Sequence, residues 1–403
     1  MSQDKERARQ KKGRGSGPAN VRAYNDRLVL SLLRQHGELS KAELTRATGL
    51  SAQSLSVIVE RLTQVGLIDR GEKRRGKIGQ PSTPYKLRAD GAFSLGLKIG
   101  RRSFELLLID FVGNIRRSLR QTCDYPTPEG LLTFFKRGYQ GLVSDLVAAD
   151  EPLVGLGVAL PFQLWQWGEV LNAPESEMSA WRDFDVEKEL SALTDLQIWI
   201  CNDATAACAA ELFFGKAVPS PNFLYLYVGT FIGGGIAING ALYEGPSGNA
   251  GAVGSMLVPS PDKPSDVVQL IEVASMNRLE QAMQASGETL ETLEQSSSSW
   301  SQQEVFVAPW IQSMRMPLAC ASINALAAMD LGQVIVDGAM PSSIVERLVE
   351  DLSKAVGDLP MEGLSPFSIN TGTHGALARA LGAAGLPLMQ QYGVDGDRLQ
   401  RPI

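Results

Sequence analysis

The hydrophobic pattern of residues 1–90 predicts three helices followed by a β-hairpin. Apolar residues recur at helical spacing over residues 21–33, and Gly37 ends this first helix. Ser40 and Glu43 predict a capping box for a short second helix, and Ser51 predicts the N-cap of a longer third helix. A helix, a short helix, a tight turn and a longer helix form the order of a helix-turn-helix unit.

In a helix-turn-helix unit, the first turn of the last helix enters the major groove of DNA. Short hydroxyl and amide side chains there suit base edges better than a core. The candidate base-reading residues are Ser51, Ala52, Gln53, Ser54 and Ser56. The hairpin that follows is basic and rich in Gly and Pro, which predicts a wing along phosphates or in the minor groove. Its candidate DNA contacts are Arg74, Arg75, Lys77 and Gln80. The alternative is a three-helix interaction module with a solvated hairpin.

Beyond residue 90 the pattern becomes α/β. Residues 94–120 predict strand, glycine turn, strand, a Gly113-Asn114 turn and a further strand. Helical periodicity over 131–149, strands near 154–160 and 198–203, and a strand ending in Gly338 with a helix from Ser342 continue the alternation. The polar segment 291–304 is interpreted as a surface loop. This order predicts a two-lobed α/β body with a cleft between the lobes.

The stretch 225–254 repeats the plan of two strands and glycine turns. It predicts that the first strand breaks at Gly229-Thr230 and then at Gly233 to Gly235, and that a tight hairpin forms at Asn239-Gly240. Glycines between strands let backbone N–H groups approach a phosphate, and the alternative is a tight turn without a ligand.

Asn202 and Asp203 stand where a strand gives way to a helix. Side chains at this position face the cleft in α/β folds, so Asp203 is the carboxylate most suited to chemistry. The alternative is that Asp203 only caps the helix that follows.

Charge divides the 403-residue chain into a basic head and an acidic body. Residues 1–90 hold 19 Lys and Arg against 9 Asp and Glu, a balance of +10, although the whole chain is at -6. This asymmetry indicates a nucleic-acid partner for the head. Without a long apolar run or a secretory h-region, we expect a cytoplasmic protein with no membrane association. The scattered cysteines predict no metal site.

The motifs together resemble the ROK family of repressors, open reading frames and sugar kinases, from about Asn20 to the C-terminus. The resemblance rests on ELTRATGLSAQSLSVIVERLTQVGLI, NDATAACAAELFFG and VGTFIGGGIAINGALYEGPSGNAGAVG. It implies a winged helix-turn-helix followed by a two-lobed, actin-like ATPase domain around a sugar and nucleotide cleft. It also implies that the helix after Gly375 packs back on the first lobe. The expected limits are 1–20 for a disordered basic tail, 21–90 for the DNA-binding domain and 91–403 for the ROK domain.

The sequence departs from the family at the residues that serve catalysis. The usual D-x-G-x-T turn has Lys98 at the aspartate position, and Phe231 replaces a glycine of the second phosphate turn. The usual G-E-x-G-H becomes Gly251 to Ser255, and the cysteine-rich zinc motif is missing. Asp203 keeps the position of the family's general base, but a base without metal and phosphate ligands is far from a working kinase. We therefore expect no catalytic residue except this vestigial base, no bound metal, no cofactor and no enzyme activity.

These observations predict a DNA-binding transcriptional regulator, a repressor, whose inactive kinase-like domain senses a sugar or sugar derivative. The expected ligand-binding residues, carried over from the resemblance, are Glu175, Asn202, Asp203, Gly233, Gly234 and Ser255. The expected partners are a double-stranded DNA operator, a small-molecule sugar effector and a second copy of the chain in a homodimer or homotetramer. The alternatives are an ATP-dependent sugar kinase with a DNA-binding appendage and a regulator controlled by a protein partner.

Overall fold

The computed structural model describes residues 18–73, 83–168, 173–215, 220–290, 293 and 296–394. They divide into two compact units. The first unit ends at Ala92 and also contains Asp110–Asn114 and Leu388–Val394, and the second contains the rest from Phe93 onward. Most of the expected basic tail, residues 1–17, lies outside the described residues, and the first helix begins at Pro18. The expected limits of the domains remain a prediction.

The first unit has the order of a winged helix-turn-helix. Its elements are α1 (Pro18–His36), β1 (Leu39–Ser40), α2 (Lys41–Thr48), α3 (Ala52–Gln64), β2 (Ile68–Arg70) and β3 (Pro84–Leu87). The strands form one antiparallel sheet in the order β1-β3-β2. Buried aliphatic residues from all three helices fill the core of the unit, in agreement with the apolar stripes of the sequence.

Side-chain caps fix the turn between α2 and α3. The Glu43 N–H donates to Ser40 Oγ at 3.3 Å and the Ser40 N–H donates to Glu43 Oε2 at 2.7 Å, so the predicted capping box is confirmed. The Ser54 N–H donates to Ser51 Oγ at 3.1 Å, which confirms Ser51 as the N-cap of α3. Gly49 ends α2 with φ 68°, a conformation that favours glycine.

The second unit contains two five-stranded sheets with one strand plan. The strands of the first sheet lie in the order β6 (Ile115–Thr122), β5 (Ser103–Asp110), β4 (Phe93–Ile99), β7 (Leu153–Leu160) and β8 (Ile198–Asn202). Those of the second lie in the order β11 (Ala241–Leu242), β10 (Ile232–Ile238), β9 (Phe223–Val228), β14 (Gln333–Gly338) and β15 (Ser368–Thr371). In each sheet, antiparallel strands occupy one edge and parallel strands continue from the third position to the other edge. The repeated hairpin plan inferred from the sequence is therefore present in the fold.

The bounds of the strands and of their main helices follow the chain order. The first sheet and its helix contain β4 (Phe93–Ile99), β5 (Ser103–Asp110), β6 (Ile115–Thr122), α4 (Pro128–Ala148), β7 (Leu153–Leu160) and β8 (Ile198–Asn202), with the short helices α5 (Glu175–Ser179) and α6 (Val186–Ser191) between the last two strands. The second sheet and its flanking helices contain α7 (Asp203–Phe214), β9 (Phe223–Val228), β10 (Ile232–Ile238), β11 (Ala241–Leu242), β14 (Gln333–Gly338), α12 (Ser342–Gly357), β15 (Ser368–Thr371) and α13 (Ala378–Tyr392).

An insertion between β11 and β14 covers the second sheet. It contains β12 (Leu257–Pro259), β13 (Val267–Gln269), α8 (Leu270–Val273), α9 (Met276–Gln284), α10 (Ser297–Gln302) and α11 (Glu304–Met329). The prediction of a surface loop over 291–304 was wrong in the second half of this range, because Ser297–Gln302 is helical and its Trp300 is 4% exposed. Residues 291, 292, 294 and 295 lie outside the described residues. The serine-rich composition of this segment predicted a loop, but the buried Trp300 side chain packs in the core and the segment is helical. No helix in the described part of the chain is long and apolar enough to cross a membrane.

The three consecutive glycines form no turn, which corrects the sequence interpretation. Gly233, Gly234 and Gly235 lie inside β10 and pair with Tyr227, Leu226 and Tyr225 of β9. A Cβ at Gly233 would lie 2.6 Å from the Ala204 Cβ, so the glycines are needed because α7 crosses this strand closely. The Asn239-Gly240 hairpin is confirmed: both residues have positive φ, and Ile238 pairs with Ala241.

Helix α13 packs on the first sheet, as the family resemblance implied. A Cβ at Gly157 of β7 would overlap the Ala383 carbonyl oxygen, and one at Gly96 of β4 would overlap the Ala384 backbone. The Ser94 hydroxyl donates to Ala384 O at 2.7 Å in the same contact. Glycines in the strands therefore set how closely the helix approaches the sheet.

This packing predicts opposite effects for two glycine-to-alanine substitutions. Gly157→Ala adds a methyl group where there is no room, so we expect it to lower the free energy of unfolding by about 1–3 kcal/mol or to displace α13. Gly141→Ala is the control, because a Cβ there meets nothing within 4 Å on an exposed face of α4. Alanine should stabilise that helix by roughly 0.5–1 kcal/mol. Urea unfolding of both variants measures the difference, and equal effects would contradict this packing.

Candidate functional site

The residues predicted to read DNA bases surround the N-terminus of α3 in the first unit. Ser51, Ala52, Gln53 and Ser54 are exposed, and Ser56 is half-buried with Lys41 Nζ 3.4 Å from its hydroxyl. Ser51 is occupied as the cap of the helix, which leaves Gln53 as the longest side chain in this exposed first turn. The predicted wing contacts Arg74, Arg75, Lys77 and Gln80 lie outside the described residues.

The second unit contains a cavity of about 180 Å³ between its two sheets. A cavity of this size can hold a small molecule, and the amide, hydroxyl and charged groups of its lining suit a polar one. Five of the six predicted ligand residues line it: Asn202, Asp203, Gly233, Gly234 and Ser255. The sixth, Glu175, is exposed at the start of α5 and is not part of the lining.

Asn202 caps helix α7, and Asp203 faces the cavity. The sequence had left open which of these two roles Asp203 has. Asn202 is the N-cap of α7: its Oδ1 accepts from the Ala204 N–H at 2.9 Å. The alternative in which Asp203 caps this helix is therefore wrong. Asp203 is the first helical residue, is 7% exposed, and lies with Oδ2 3.2 Å from Arg379 Nη1. Its carboxylate faces the cavity as one half of a buried ion pair.

Arg379 comes from the first turn of α13, and two carboxylate side chains hold the segment just before this helix. Asp337, at the end of β14, accepts from the His374 and Gly375 N–H groups, and Glu211 of α7 accepts from the Thr373 N–H at 2.8 Å. Burial alone would lower the pKa of the Arg379 guanidinium, but Tyr227 and Asp203 outweigh burial and raise it. Arg379 therefore stays charged.

A second ion pair lies in the first sheet, between Lys98 of β4 and Glu105 of β5. Lys98 is 4% exposed, and its Nζ lies 2.7 Å from Glu105 Oε1. Burial, and then the Arg379 guanidinium, lowers the pKa of Lys98 to about 8, although Glu105 acts in the opposite direction. Burial alone would raise the pKa of Glu105, but Lys98 outweighs it and that pKa is lowered.

Arg101 is held between aromatic rings at one wall of the cavity. Its guanidinium carbon lies 4.1 Å from the centre of the Trp167 ring and 4.9 Å from that of Phe231. The two rings are themselves 4.5 Å apart. Burial lowers the pKa of Arg101 to about 10, while Asp203 acts against this change. The group is still a cation at neutral pH.

Sequence reasoning did not assign Arg379 or Trp167 to the site. Arg379 is the only charged residue in the otherwise apolar and glycine-rich segment GALARALGAAGLPL, and an isolated charge in such a segment is a usable signal. Trp167 ends a short 3-10 helix (Leu164–Trp167) after β7, and residue spacing in so short an element gives no indication of where the ring lies.

Comparison with known proteins agrees with the fold. Residues 94–390 match the ROK family model, and residues 24–77 match the MarR family model. Protein y4fQ of Sinorhizobium fredii is 24% identical over 92% of both chains. The xylose repressor of Bacillus subtilis is 24% identical over 59% of this chain and 61% of the repressor. The matched segment thus spans about three fifths of that repressor's length.

Solved structures show the same architecture. A ROK family transcriptional regulator, a homologue of the E. coli MLC protein, superposes with a TM-score of 0.63 at 19% identity, over 93% of this chain and 97% of the regulator. A ROK family glucokinase from Streptomyces griseus, crystallised with glucose and AMPPNP, gives a TM-score of 0.56 at 20% identity, over 73% of this chain and 98% of the kinase. At these identities the likeness shows the fold: a winged helix-turn-helix and an actin-like domain.

The lowered pKa of Lys98 predicts a pH-dependent stability. Between the pKa of about 8 in the folded chain and the ordinary 10.5, the unfolded chain binds more protons. The contribution of Lys98 to the free energy of unfolding should therefore rise with pH above 8, by on the order of 1 kcal/mol per pH unit. Lys98→Met removes this contribution. Urea unfolding near pH 7.5 and 9.5 should show a smaller rise, or a larger fall, in the variant than in the wild-type chain; parallel pH profiles would contradict the prediction.

Proposed function

Because the chain belongs to the ROK family and carries a MarR-like segment at its N-terminus, we propose that it is a sequence-specific DNA-binding transcriptional regulator, a repressor. The observation that carries this proposal is the exposed first turn of α3, which presents Gln53 and Ser54 on a capped helix-turn-helix unit. The basic balance of residues 1–90 supports it, since phosphate contacts supply most of the affinity of such proteins for DNA.

The effector domain senses a sugar or sugar derivative in this proposal. Amide and hydroxyl groups line the cavity together with aromatic rings, a combination that suits the polar edges and apolar faces of a sugar ring. The uncharged polar and aromatic residues of the lining are Phe162, Gln163, Gln166, Trp167, Asn202, Tyr227, Phe231, Asn249 and Ser255. A ligand that prefers one arrangement of the two sheets would change the population of DNA-binding states.

Catalytic inactivity is the second part of the proposal. Phosphoryl transfer needs a metal, positioned phosphates and a base together. The Lys98 ammonium stands where the family's aspartate would serve the metal, and its bond with Glu105 at 2.7 Å keeps it there. Asp203, the position of the base, is tied to Arg379. A sugar kinase with a DNA-binding appendage is the second candidate, because this carboxylate still lines the cavity.

The assembly and location follow from the DNA partner. A single small helix-turn-helix reads few base pairs, so we propose a symmetric homodimer or homotetramer on a two-fold operator. We also propose a cytoplasmic location, where the protein would reach its operator. Control by a protein partner instead of a sugar is the remaining alternative.

Replacing Gln53 should separate specific from general DNA binding. With a duplex selected from a random pool, we expect Gln53→Ala to weaken binding by about 1–3 kcal/mol, since one bidentate base contact is lost. Binding to an unrelated duplex should be unchanged, because it rests on phosphates. Gln64→Ala, at the exposed other end of α3, is the matched control and should bind as the wild-type chain does. Equal affinity of the wild-type chain for every duplex at moderate salt would contradict a specific regulator.

The kinase alternative has its own test. We expect no ATP turnover above background with a panel of hexoses and amino sugars, because the metal position is occupied by a cation. The assay measures ADP release with Mg²⁺ present. Sugar-stimulated turnover that Asp203→Ala abolishes would establish the kinase and refute catalytic inactivity.

A further inference from the structure

The charges around the cavity do not balance. Lys98 pairs with Glu105 at 2.7 Å, and Arg379 pairs with Asp203 at 3.2 Å. Arg101 is the third cation of this group and makes no ion pair among the described residues. A buried charge normally has a partner of opposite sign, because removal from water is costly without one.

The polar contacts of Arg101 are incomplete as well. Its Nε is buried and has no hydrogen-bond partner. The rings of Trp167 and Phe231 contact the guanidinium and hold it against the cavity, but they accept no hydrogen bond in its plane. The geometry is that of an arginine fixed in position with N–H donors left for a planar or tetrahedral oxyanion.

The positive ends of two helix dipoles also point towards the cavity. α7 begins at Asp203 and α13 begins one residue before Arg379, and both residues line the cavity. The N-termini of two helices of 12 and 15 residues therefore approach the same space, where helix dipoles favour negative charge. The only carboxylate in the lining, Asp203, is held by Arg379.

We propose that the effector of this cavity is an anionic sugar derivative whose carboxylate or phosphate group binds the Arg101 guanidinium. The inference rests on the proposed sugar-sensing function and narrows its ligand class. The sugar ring would occupy the polar part near Asn202 and Ser255, and its oxyanion would supply the missing acceptor for Arg101. Neutral hexoses lack that acceptor, so they would leave the cation unpaired.

Thermal unfolding of the full-length protein tests the charge requirement. The probes are D-glucose, D-galactose and D-mannose, each beside its uronic acid and its 6-phosphate. We expect at least one acid or phosphate to raise Tm by a few degrees, while its neutral parent does not. Comparing the uronic acids with the 6-phosphates shows whether the cavity binds a carboxylate or a phosphate group. If no anionic probe raises Tm, or if the neutral parent binds equally well, the proposal is overturned.

Substitutions at the neighbouring residues Arg101 and Arg102 test whether Arg101 binds the anionic probe. Arg101→Gln should weaken the anionic probe at least about tenfold in calorimetric titration, and Arg101→Lys should recover part of that loss by restoring the charge. Arg102→Gln is the matched control, because Arg102 is half exposed and pairs with Glu280 outside the lining. Equal losses in Arg101→Gln and Arg102→Gln, or no loss in either, would contradict the assignment.

A DNA-binding assay distinguishes a failure of the proposed ligand class from a failure of the proposed regulator function. Without ligand, the wild-type chain and Arg102→Gln should bind a selected duplex equally tightly. If specific binding is present and only the anion effect fails, the ligand class is wrong and the regulator stands. If the wild-type chain shows no specific binding, the proposed function fails whatever the cavity binds.

Discussion

The close contact between α7 and α13 is the constraint on which the site depends. A Cβ at Gly382 would overlap the Ala206 carbonyl oxygen, so the two helix backbones touch at this point. Gly382 and Ala206 each follow a charged partner by three residues, Arg379 and Asp203, and therefore lie one helical turn beyond the ion pair. Helix α13 also packs on the first sheet, and α7 crosses β10 of the second. The position of the Asp203–Arg379 pair is thus set by backbone packing.

The region around the cavity carries more cations than carboxylates. The helices and strand plan match those of a ROK glucokinase. Lys98 pairs with Glu105 and Arg379 pairs with Asp203, whereas Arg101 lies against the Trp167 ring. In the function proposed above, this domain binds a small molecule and changes its conformation, and the DNA-binding head transmits that change to the operator.

The sequence predicted those parts of the fold in which local chemistry decides the outcome. The Ser40–Glu43 capping box, the Ser51 cap and the Asn239-Gly240 hairpin each follow from side-chain or backbone preferences within a few residues. The turn predicted at Gly233 to Gly235 was wrong because glycines are common both in turns and in strands that a helix crosses closely. Only the packing of α7 on β10 distinguishes these two causes. Arg379 joins Asp203 across 176 residues, a distance that no local pattern encodes.

Genome-wide footprinting of the full-length protein tests the central claim most directly. A specific repressor with a two-fold assembly should protect a small number of discrete sites, each an inverted repeat with half-sites about one helical turn or a multiple of it apart. Protection should fall steeply with added salt at unrelated DNA before it falls at these sites. Uniform protection without a shared sequence, or none at all, would contradict the account.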